Sequence, residues 1–190
     1  AVLKLSPKPR AYATAMVGAQ TLGGGLTLLN TLQEATGGAV EAFEYMPQAY
    51  IKAHLDMFKT AKAPFDNPHP ANFLIEVGAT APHDCAIQSD GSIPVVTQLE
   101  TSLAALLETN DIQDAVVAQN EAQRRAMWER REQAAEVVLT QGPVIQNDVA
   151  VPLDQMQHFL DRASANLAQV DPDATDISVA HVGDGNIHYT

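Results

Sequence analysis

The sequence has one cysteine, Cys85, which excludes an internal disulfide and fits a reducing compartment. Basic residues are also scarce, since 11 Lys and Arg stand against 23 Asp and Glu for a net charge of −12. A surface this acidic repels nucleic acid and anionic lipid, so neither is an expected partner. No apolar run approaches the roughly 18 residues of a membrane span. These absences predict a cytoplasmic protein without a membrane span.

A dinucleotide-binding glycine pattern is missing as well. Gly23-Gly24-Gly25 is the nearest approach to a phosphate loop, but it lacks both the spacing and the lysine. The three glycines are better interpreted as a permissive entry to a helix. The chain itself therefore carries no signature for binding a nucleotide phosphate.

Strand and helix patterns alternate along the chain, with connections too uneven for a Rossmann array. Predicted strands cover residues 12–17, 39–45, 73–77, 115–118, 144–151 and 177–182. Predicted helices run from 22 to a Gly-Gly stop at 37–38, over 47–59, 95–107 and 120–139, and from 152 to a break at 172. This order predicts an α+β fold, a ferredoxin-like antiparallel sheet with helices on one face, extended by additional α and β elements.

The last ten residues carry the strongest chemical signal. His181 and His188 bracket a Gly-Asp-Gly-Asn turn. With Asp184-Gly185 at the tip of a hairpin, the two histidines become cross-strand partners whose Cβ atoms are roughly 4.5–5.5 Å apart, close enough to share a metal ion. A metal site generally has three or four ligands, so further ligands would come from residues outside the chain. From these residues alone, a metal site and a structural histidine pair are equally supported.

Four of the basic residues lie within eight positions of one predicted helix: Arg124, Arg125, Arg130 and Arg131. Exposed ion pairs with neighbouring glutamates are the simpler interpretation for the first three. Arg131 lies one turn from Trp128, the only tryptophan, where a planar guanidinium beside an aromatic edge suits a small carboxylate substrate.

Several segments carry a family resemblance, in the same order as in the family: Leu3–Pro9, Ala42–Met46, Asp114–Gln119 leading to a W-x-x-R-E helix at Trp128–Glu132, Asn147–Pro152, and the terminal H-x-G-D-G-N-x-H. They resemble the C-terminal (cap) domain of FAD-linked oxidases. Within these vanillyl-alcohol-oxidase-like flavoproteins they are most similar to the D-2-hydroxy-acid dehydrogenases, which act on D-lactate, D-2-hydroxyglutarate or glycolate.

The resemblance implies that residues 1–190 are a substrate-binding cap domain, cut from a larger protein that supplies an upstream FAD-binding domain and further C-terminal residues. It implies FAD as cofactor, with Asn186 as a cofactor contact, and Arg131 on the substrate carboxylate. It also implies His181 and His188 as ligands of a divalent metal, for which Zn²⁺ fits best and Mn²⁺ or Fe²⁺ are alternatives. In the family the catalytic base and a glutamate that completes the metal site lie in a later Glu-His-Gly segment. The chain contains neither, so we expect it to be inactive alone.

One departure from the family concerns the substrate. Gln146 stands where the family often has a lysine just before the Asn147-Asp148-Val149 segment. A neutral amide supplies no second positive charge for a dicarboxylate, which favours a monocarboxylate such as lactate or glycolate over D-2-hydroxyglutarate. The competing interpretation is a non-catalytic metal-binding or dimerisation module, and a homodimer is compatible with either interpretation.

Overall fold

A computed structural model describes residues 2–3 and 5–190, so Ala1 and Lys4 of the predicted first segment lie outside the described residues. Among the described residues, seven strands form one sheet: β1 (Ala11–Ala19), β2 (Val40–Pro47), β3 (Ala71–Ala79), β4 (Asp114–Val117), β5 (Asn147–Ala150), β6 (Val179–His181) and β7 (Asn186–Tyr189). Their order is β4-β1-β3-β2-β6-β7-β5, and each neighbouring pair is antiparallel.

Helices connect and cover these strands: α1 (Leu22–Thr36), α2 (Gln48–Met57), α3 (Pro82–Cys85), α4 (Pro94–Glu108), α5 (Glu121–Glu132), α6 (Ala134–Leu139) and α7 (Met156–Val170). A 3-10 turn at Leu153–Gln155 precedes α7. None of the helices in the described part of the chain is long and apolar enough to span a bilayer.

The first four strands form the ferredoxin-like unit. Helix α1 connects β1 to β2, and α4 connects β3 to β4. Within the sheet, β3 lies between β1 and β2, while β4 lies at the edge beside β1. Gly37 ends α1 in the left-handed region at φ +61°, where the sequence predicts a stop. The α+β class and the ferredoxin-like antiparallel sheet are therefore confirmed. Strands β6, β7 and β5 extend the sheet beyond β2.

Hydrophobic contacts cover both faces of the sheet. On one face α1, α4 and α7 bury Leu28, Leu103 and Leu160 against Phe73 and Ile75. The other face carries α2, α5 and α6, whose buried side chains, with those of the sheet, form a second cluster: Met16, Met46, Tyr50, Ile51, Leu74, Met127, Ala134 and Val137. The prediction placed helices on one face only, and the additional helices cover the second face, here called the α5 face.

Two predicted elements differ from the observed ones. The helix predicted over 120–139 is interrupted at Gln133, where φ −76° and ψ 4° end α5 before α6 begins. The strand predicted over 144–151 is shorter, Asn147–Ala150, because it pairs only along the length of β7. The break at Gln133 directs the end of α5, which carries Arg131, toward the β6–β7 hairpin.

Candidate functional site

The register of the terminal hairpin differs from the prediction. His181 pairs with Asn186 and His188 pairs with Val179, so the two histidines are not directly opposed. The turn is centred on Gly183-Asp184 rather than on Asp184-Gly185. The amide of Gly185, at φ +80°, donates to the carbonyl of His181 over 3.1 Å and closes the turn.

The histidine rings nevertheless meet. A register shifted by two keeps His181 and His188 on the same side of the sheet, where they are diagonal neighbours. Their ring centroids are 5.0 Å apart with an interplanar angle of 83°. Because the side-chain period of a strand is two, the prediction that the rings are adjacent is confirmed even though the predicted pairing was wrong.

Each imidazole has its Nδ1 near a carboxylate. His181 Nδ1 lies 2.8 Å from Glu44 Oε1 on β2, and His188 Nδ1 lies 3.3 Å from Asp148 Oδ1 on β5. In a neutral imidazole, a carboxylate acceptor holds the proton on Nδ1 and leaves the Nε2 lone pair free. Both side chains are about 40% exposed.

Glu44 also connects His181 to Arg131. The Nε of Arg131 donates to Glu44 Oε2 over 2.8 Å, and its Nη2 lies 3.5 Å from His181 Nε2. Arg131 and Glu44 are 9% and 7% exposed. Since Glu44 occupies only Nε, the two Nη groups of Arg131 remain without a carboxylate partner among the described residues. The pair thus leaves donors of the guanidinium available to an anion.

A cavity of about 400 Å³ opens beside this pair, between the α5–α6 junction and strands β5 and β7. Arg131, Gln146, Asp148 and His188 all line it. Three residues that the sequence marked separately, the arginine, the glutamine in the place of a lysine and one histidine, therefore share one cavity. A volume of this size accommodates a small organic acid.

A second buried carboxylate, Glu76 on β3, fixes α5 to the sheet. It is 4% exposed and accepts hydrogen bonds from Thr14 Oγ1 at 2.6 Å, Arg124 Nε at 2.7 Å, Arg124 Nη2 at 2.8 Å and Trp128 Nε1 at 2.9 Å. Burial alone raises the pKa of Glu76, but the hydrogen bonds from Arg124, Thr14 and Trp128 outweigh it, so the pKa lies below its ordinary value. Arg124 is thus a half-buried anchor, and its interpretation as an exposed ion pair alone was wrong.

Asn186 and the three glycines bear on nucleotide binding. Asn186 lies at the start of β7, and its Nδ2 donates to Asp148 Oδ1 over 2.7 Å, which orients the carboxylate beside His188.

Gly25 has no room for a Cβ against the Phe73 ring, and Gly24 lies close to the Asp111 carbonyl. The glycines therefore allow α1 to approach its neighbours, as the interpretation of a helix entry predicts.

The donors for a metal are incomplete within this chain. No group of three His, Cys, Asp or Glu side chains that could hold a metal ion occurs in residues 2–3 and 5–190. His181 and His188 supply two imidazoles, each with a carboxylate on Nδ1, which is the arrangement that metal-ligating histidines usually have. The two residues fit a divalent ion as part of a site that needs at least one more ligand.

A known protein family matches nearly the whole chain. The family described as FAD linked oxidases, C-terminal domain, matches residues 8–190. The chain belongs to this family. Membership in a family of FAD-linked oxidases implies FAD as the cofactor. It also implies that a C-terminal domain of this kind works together with an FAD-binding domain.

Curated relatives are dehydrogenases of hydroxy acids. The chain is 29% identical over 160 residues to a putative mitochondrial D-lactate dehydrogenase of Schizosaccharomyces pombe, covering 78% of the chain and 28% of the relative. It is 28% identical over 152 residues to a D-2-hydroxyglutarate dehydrogenase of Xanthomonas citri (78% and 29%). It is 25% identical over 187 residues to the mitochondrial D-2-hydroxyglutarate dehydrogenase of Bos taurus (96% and 31%). The chain thus spans less than a third of the length of each of these relatives. Two of the three relatives are named as mitochondrial, and the cytoplasmic location of this chain stays a prediction.

A solved structure shares the fold of the FAD-oxidase C-terminal domain. An alkyldihydroxyacetonephosphate synthase superposes with a TM-score of 0.51 at 13% identity, covering 97% of this chain and 36% of the other. At this identity the likeness concerns the fold alone.

The sequence did not indicate a functional role for three acidic residues of the site: Glu44, Glu76 and Asp148. Their partners lie far away in sequence, since Glu44 contacts Arg131 at a separation of 87 residues and His181 at 137. The available signal is a charge inside an apolar strand, Glu44 between Phe43 and Tyr45 and Glu76 between Ile75 and Val77. A carboxylate in such a position is almost never fully buried unless it is paired.

Proposed function

We propose that residues 1–190 form the substrate-binding domain of an FAD-dependent dehydrogenase that oxidises a D-2-hydroxy acid to the 2-keto acid. The observation that carries this proposal is the shared cavity of Arg131, Gln146 and His188. The family and the relatives support the class of reaction, and the cavity supports the class of substrate.

Arg131 is the proposed substrate-binding residue. Its Nε is engaged by Glu44 and its Nη2 lies 3.5 Å from His181 Nε2, while the other N–H donors of its two Nη groups can form a bidentate pair with a carboxylate. Burial of the Arg131–Glu44 pair fixes the guanidinium in one orientation before a substrate arrives, which lowers the entropy lost on binding. Glu44 acts in this proposal as a positioning residue for both Arg131 and His181.

His181 and His188 are the proposed metal ligands, with Zn²⁺ as the metal that imidazoles and one carboxylate suit best. Their Nδ1 partners, Glu44 and Asp148, would orient the rings and keep Nε2 free. When bound, a divalent ion supplies charge that lowers the pKa of a coordinated hydroxyl group. The ligand that completes the site, and the base that takes the hydroxyl proton, are proposed to come from residues outside this chain.

FAD is proposed to bind mainly to another domain of the same protein. The described residues form no phosphate-binding loop, because the Gly23–Gly25 segment lies in the first turn of α1, packed against neighbouring elements. Asn186 is the proposed contact of this chain with the cofactor region, although its amide already donates to Asp148. The contribution of the chain is therefore to bind and orient the hydroxy acid.

Gln146 supports a monocarboxylate substrate. It lines the cavity of Arg131, where a second cation would be needed for the distal carboxylate of D-2-hydroxyglutarate. Asp148 in the same cavity adds negative charge and opposes a dianion further. D-Lactate and glycolate carry one carboxylate each and suit this arrangement.

The substrate proposal is tested in a polypeptide that joins this chain to an FAD-binding domain of the family and to the C-terminal segment that supplies the proposed base and the further metal ligand. Anaerobic flavin reduction is followed with D-lactate, glycolate and D-2-hydroxyglutarate. We expect a monocarboxylate to reduce the flavin fastest, and Gln146→Lys to improve kcat/KM for D-2-hydroxyglutarate about tenfold, the value of one charge-assisted hydrogen bond. Gln88→Lys, which adds the same charge in the exposed loop after α3, is the control. Reduction by none of the three acids would reject the proposed activity.

The metal proposal is tested separately by elemental analysis of the same polypeptide. His181→Ala and His188→Ala are expected to lose the bound metal, whereas His83→Ala, at a side chain that is 83% exposed, retains it. Equal metal content in all variants would return His181 and His188 to a structural pair and leave the substrate proposal to its own test.

A further inference from the structure

Arg130, the neighbour of Arg131 on α5, is buried but does not line the cavity described above. It is 7% exposed, and its Nη2 donates to the backbone carbonyl of Lys62. Its Nε is buried without a hydrogen-bond partner. Within the part of the chain that the structure describes, no carboxylate lies within ion-pair distance of Arg130. The adjacent Arg131, by contrast, is paired with Glu44.

An isolated cation is costly to bury. Removal of a guanidinium from water costs several kcal/mol unless an anion or a full set of hydrogen bonds compensates it. Burial lowers the pKa of Arg130, in keeping with this missing compensation. The backbone of Arg130 is held in place because its carbonyl accepts the hydroxyl of the buried Tyr50.

A cavity of about 470 Å³ adjoins Arg130, between α2, the loop over residues 60–64, α5 and β4. His54, 2% exposed, also lines it. His54 Nε2 lies 2.8 Å from Gln133 Oε1, and its Nδ1 is buried without a partner. Glu129, at the exposed rim, is the one acidic residue among the described residues that line this cavity. Because His54 Nε2 donates to the Gln133 oxygen, its Nδ1 is an acceptor, and Arg130 is the buried cation of this cavity.

We propose that this cavity is a second binding site, for a small oxyanion held by Arg130. Carboxylate and phosphate oxygens match the planar guanidinium, and either would supply the charge that the described residues leave missing. The site is separate from the proposed substrate cavity, because Arg130 and Arg131 line different cavities. The proposal does not depend on the dehydrogenase assignment.

Titration of the ¹⁵N-labelled 190-residue chain with inorganic phosphate, at constant ionic strength set with chloride, tests the proposal by NMR. We expect saturable shifts at His54, Gln133 and residues 60–64. Arg130→Met should raise the phosphate Kd at these positions at least tenfold, and Arg130→Lys should also weaken binding because it loses the planar fork. Arg125→Met, an exposed neighbour, and Arg131→Met should leave these shifts unchanged.

The test separates the two arginines without reference to enzymatic activity. Arg130→Met removes an uncompensated charge, so we expect it to remain folded, which circular dichroism checks. If this variant does not fold, the positions of the saturable shifts in the wild-type chain still show whether phosphate binds beside Arg130. Absence of saturable shifts around His54, or shifts that survive Arg130→Met but vanish in Arg131→Met, would overturn the proposal.

Discussion

The buried Glu76 offers the sharpest test of how α5 is held on the sheet. Glu76→Gln keeps the side-chain volume but removes the charge that two bonds from Arg124 require. Breaking a buried ion pair costs about 3–5 kcal/mol, and a hydrogen bond to a charged group contributes about 1.5–3 kcal/mol. Arg124 is 27% exposed and can regain water, which reduces the loss. We expect a decrease of about 2–4 kcal/mol in the free energy of unfolding.

The control uses the same arginine and the same substitution. Glu121 also pairs with Arg124, at 3.2 Å, but its side chain is 67% exposed. Glu121→Gln should cost less than about 1 kcal/mol, because exposed ion pairs contribute little. Urea denaturation of the two variants and the wild-type chain measures both values. A Glu76→Gln variant within 0.5 kcal/mol of the wild-type chain would refute the anchoring role of Glu76.

The pH dependence gives an independent check. Because the folded-state pKa of Glu76 lies below the ordinary value of 4.5, the charged form stabilises the fold above that pH. This stabilisation is lost as the pH falls below 4.5 and through the folded-state pKa. The stability difference between the wild-type chain and Glu76→Gln should therefore be constant near neutral pH and shrink in acid. An equal difference at neutral and strongly acidic pH would contradict the assigned cause.

Three further predictions concern the hairpin, the cofactor and the substrate. Gly185→Ala should destabilise the chain by at least about 1–2 kcal/mol in urea, because φ is +80° and a Cβ would overlap the Val151 carbonyl, whereas Gly183→Ala, with open space around it, should be near neutral. The chain alone should bind no FAD and show no turnover, so a flavin absorption band in the purified chain would contradict the assignment of FAD to another domain. In the flavin-joined polypeptide, Arg131→Lys should reduce kcat/KM almost as much as Arg131→Ala, since an ammonium keeps the charge but loses the bidentate fork. Full activity of Arg131→Lys would show that Arg131 does not bind the substrate carboxylate in a bidentate manner.

Local sequence features predicted the elements that depend on local physics. The apolar spacing from Leu22 onward and the glycines at its end predicted α1, and a left-handed Gly37 ends it. The alternating order of strands and helices predicted the ferredoxin-like unit, since short connections leave few topologies. The sequence predicted His181 and His188 as directly opposed partners; that pairing was wrong, but the rings are still adjacent because a register shifted by two keeps both on one face.

Features that depend on distant partners were not predictable in the same way. The observed hairpin register places Gly185 against Val151, the residue after β5, whose amide donates to the Gly185 carbonyl. The break at Gln133 accompanies a hydrogen bond that its side-chain oxygen accepts from His54 Nε2 on α2. The arginine partners of Glu44 and Glu76 lie on α5, far from both strands in sequence. In each case the determining contact joins segments whose proximity no local pattern encodes.

The distance between cation and imidazole connects the fold to the proposed chemistry. A 2-hydroxy acid carries its hydroxyl on the carbon next to its carboxylate, so a site for it must offer two different groups within a few ångströms. Arg131 Nη2 and His181 Nε2 are 3.5 Å apart, and both side chains are held by the two oxygens of Glu44. One buried carboxylate on β2 therefore sets the spacing between the proposed carboxylate-binding group and the proposed metal ligand. Because β2 belongs to the ferredoxin-like unit while His181 belongs to its extension, this spacing depends on the pairing of β2 with β6.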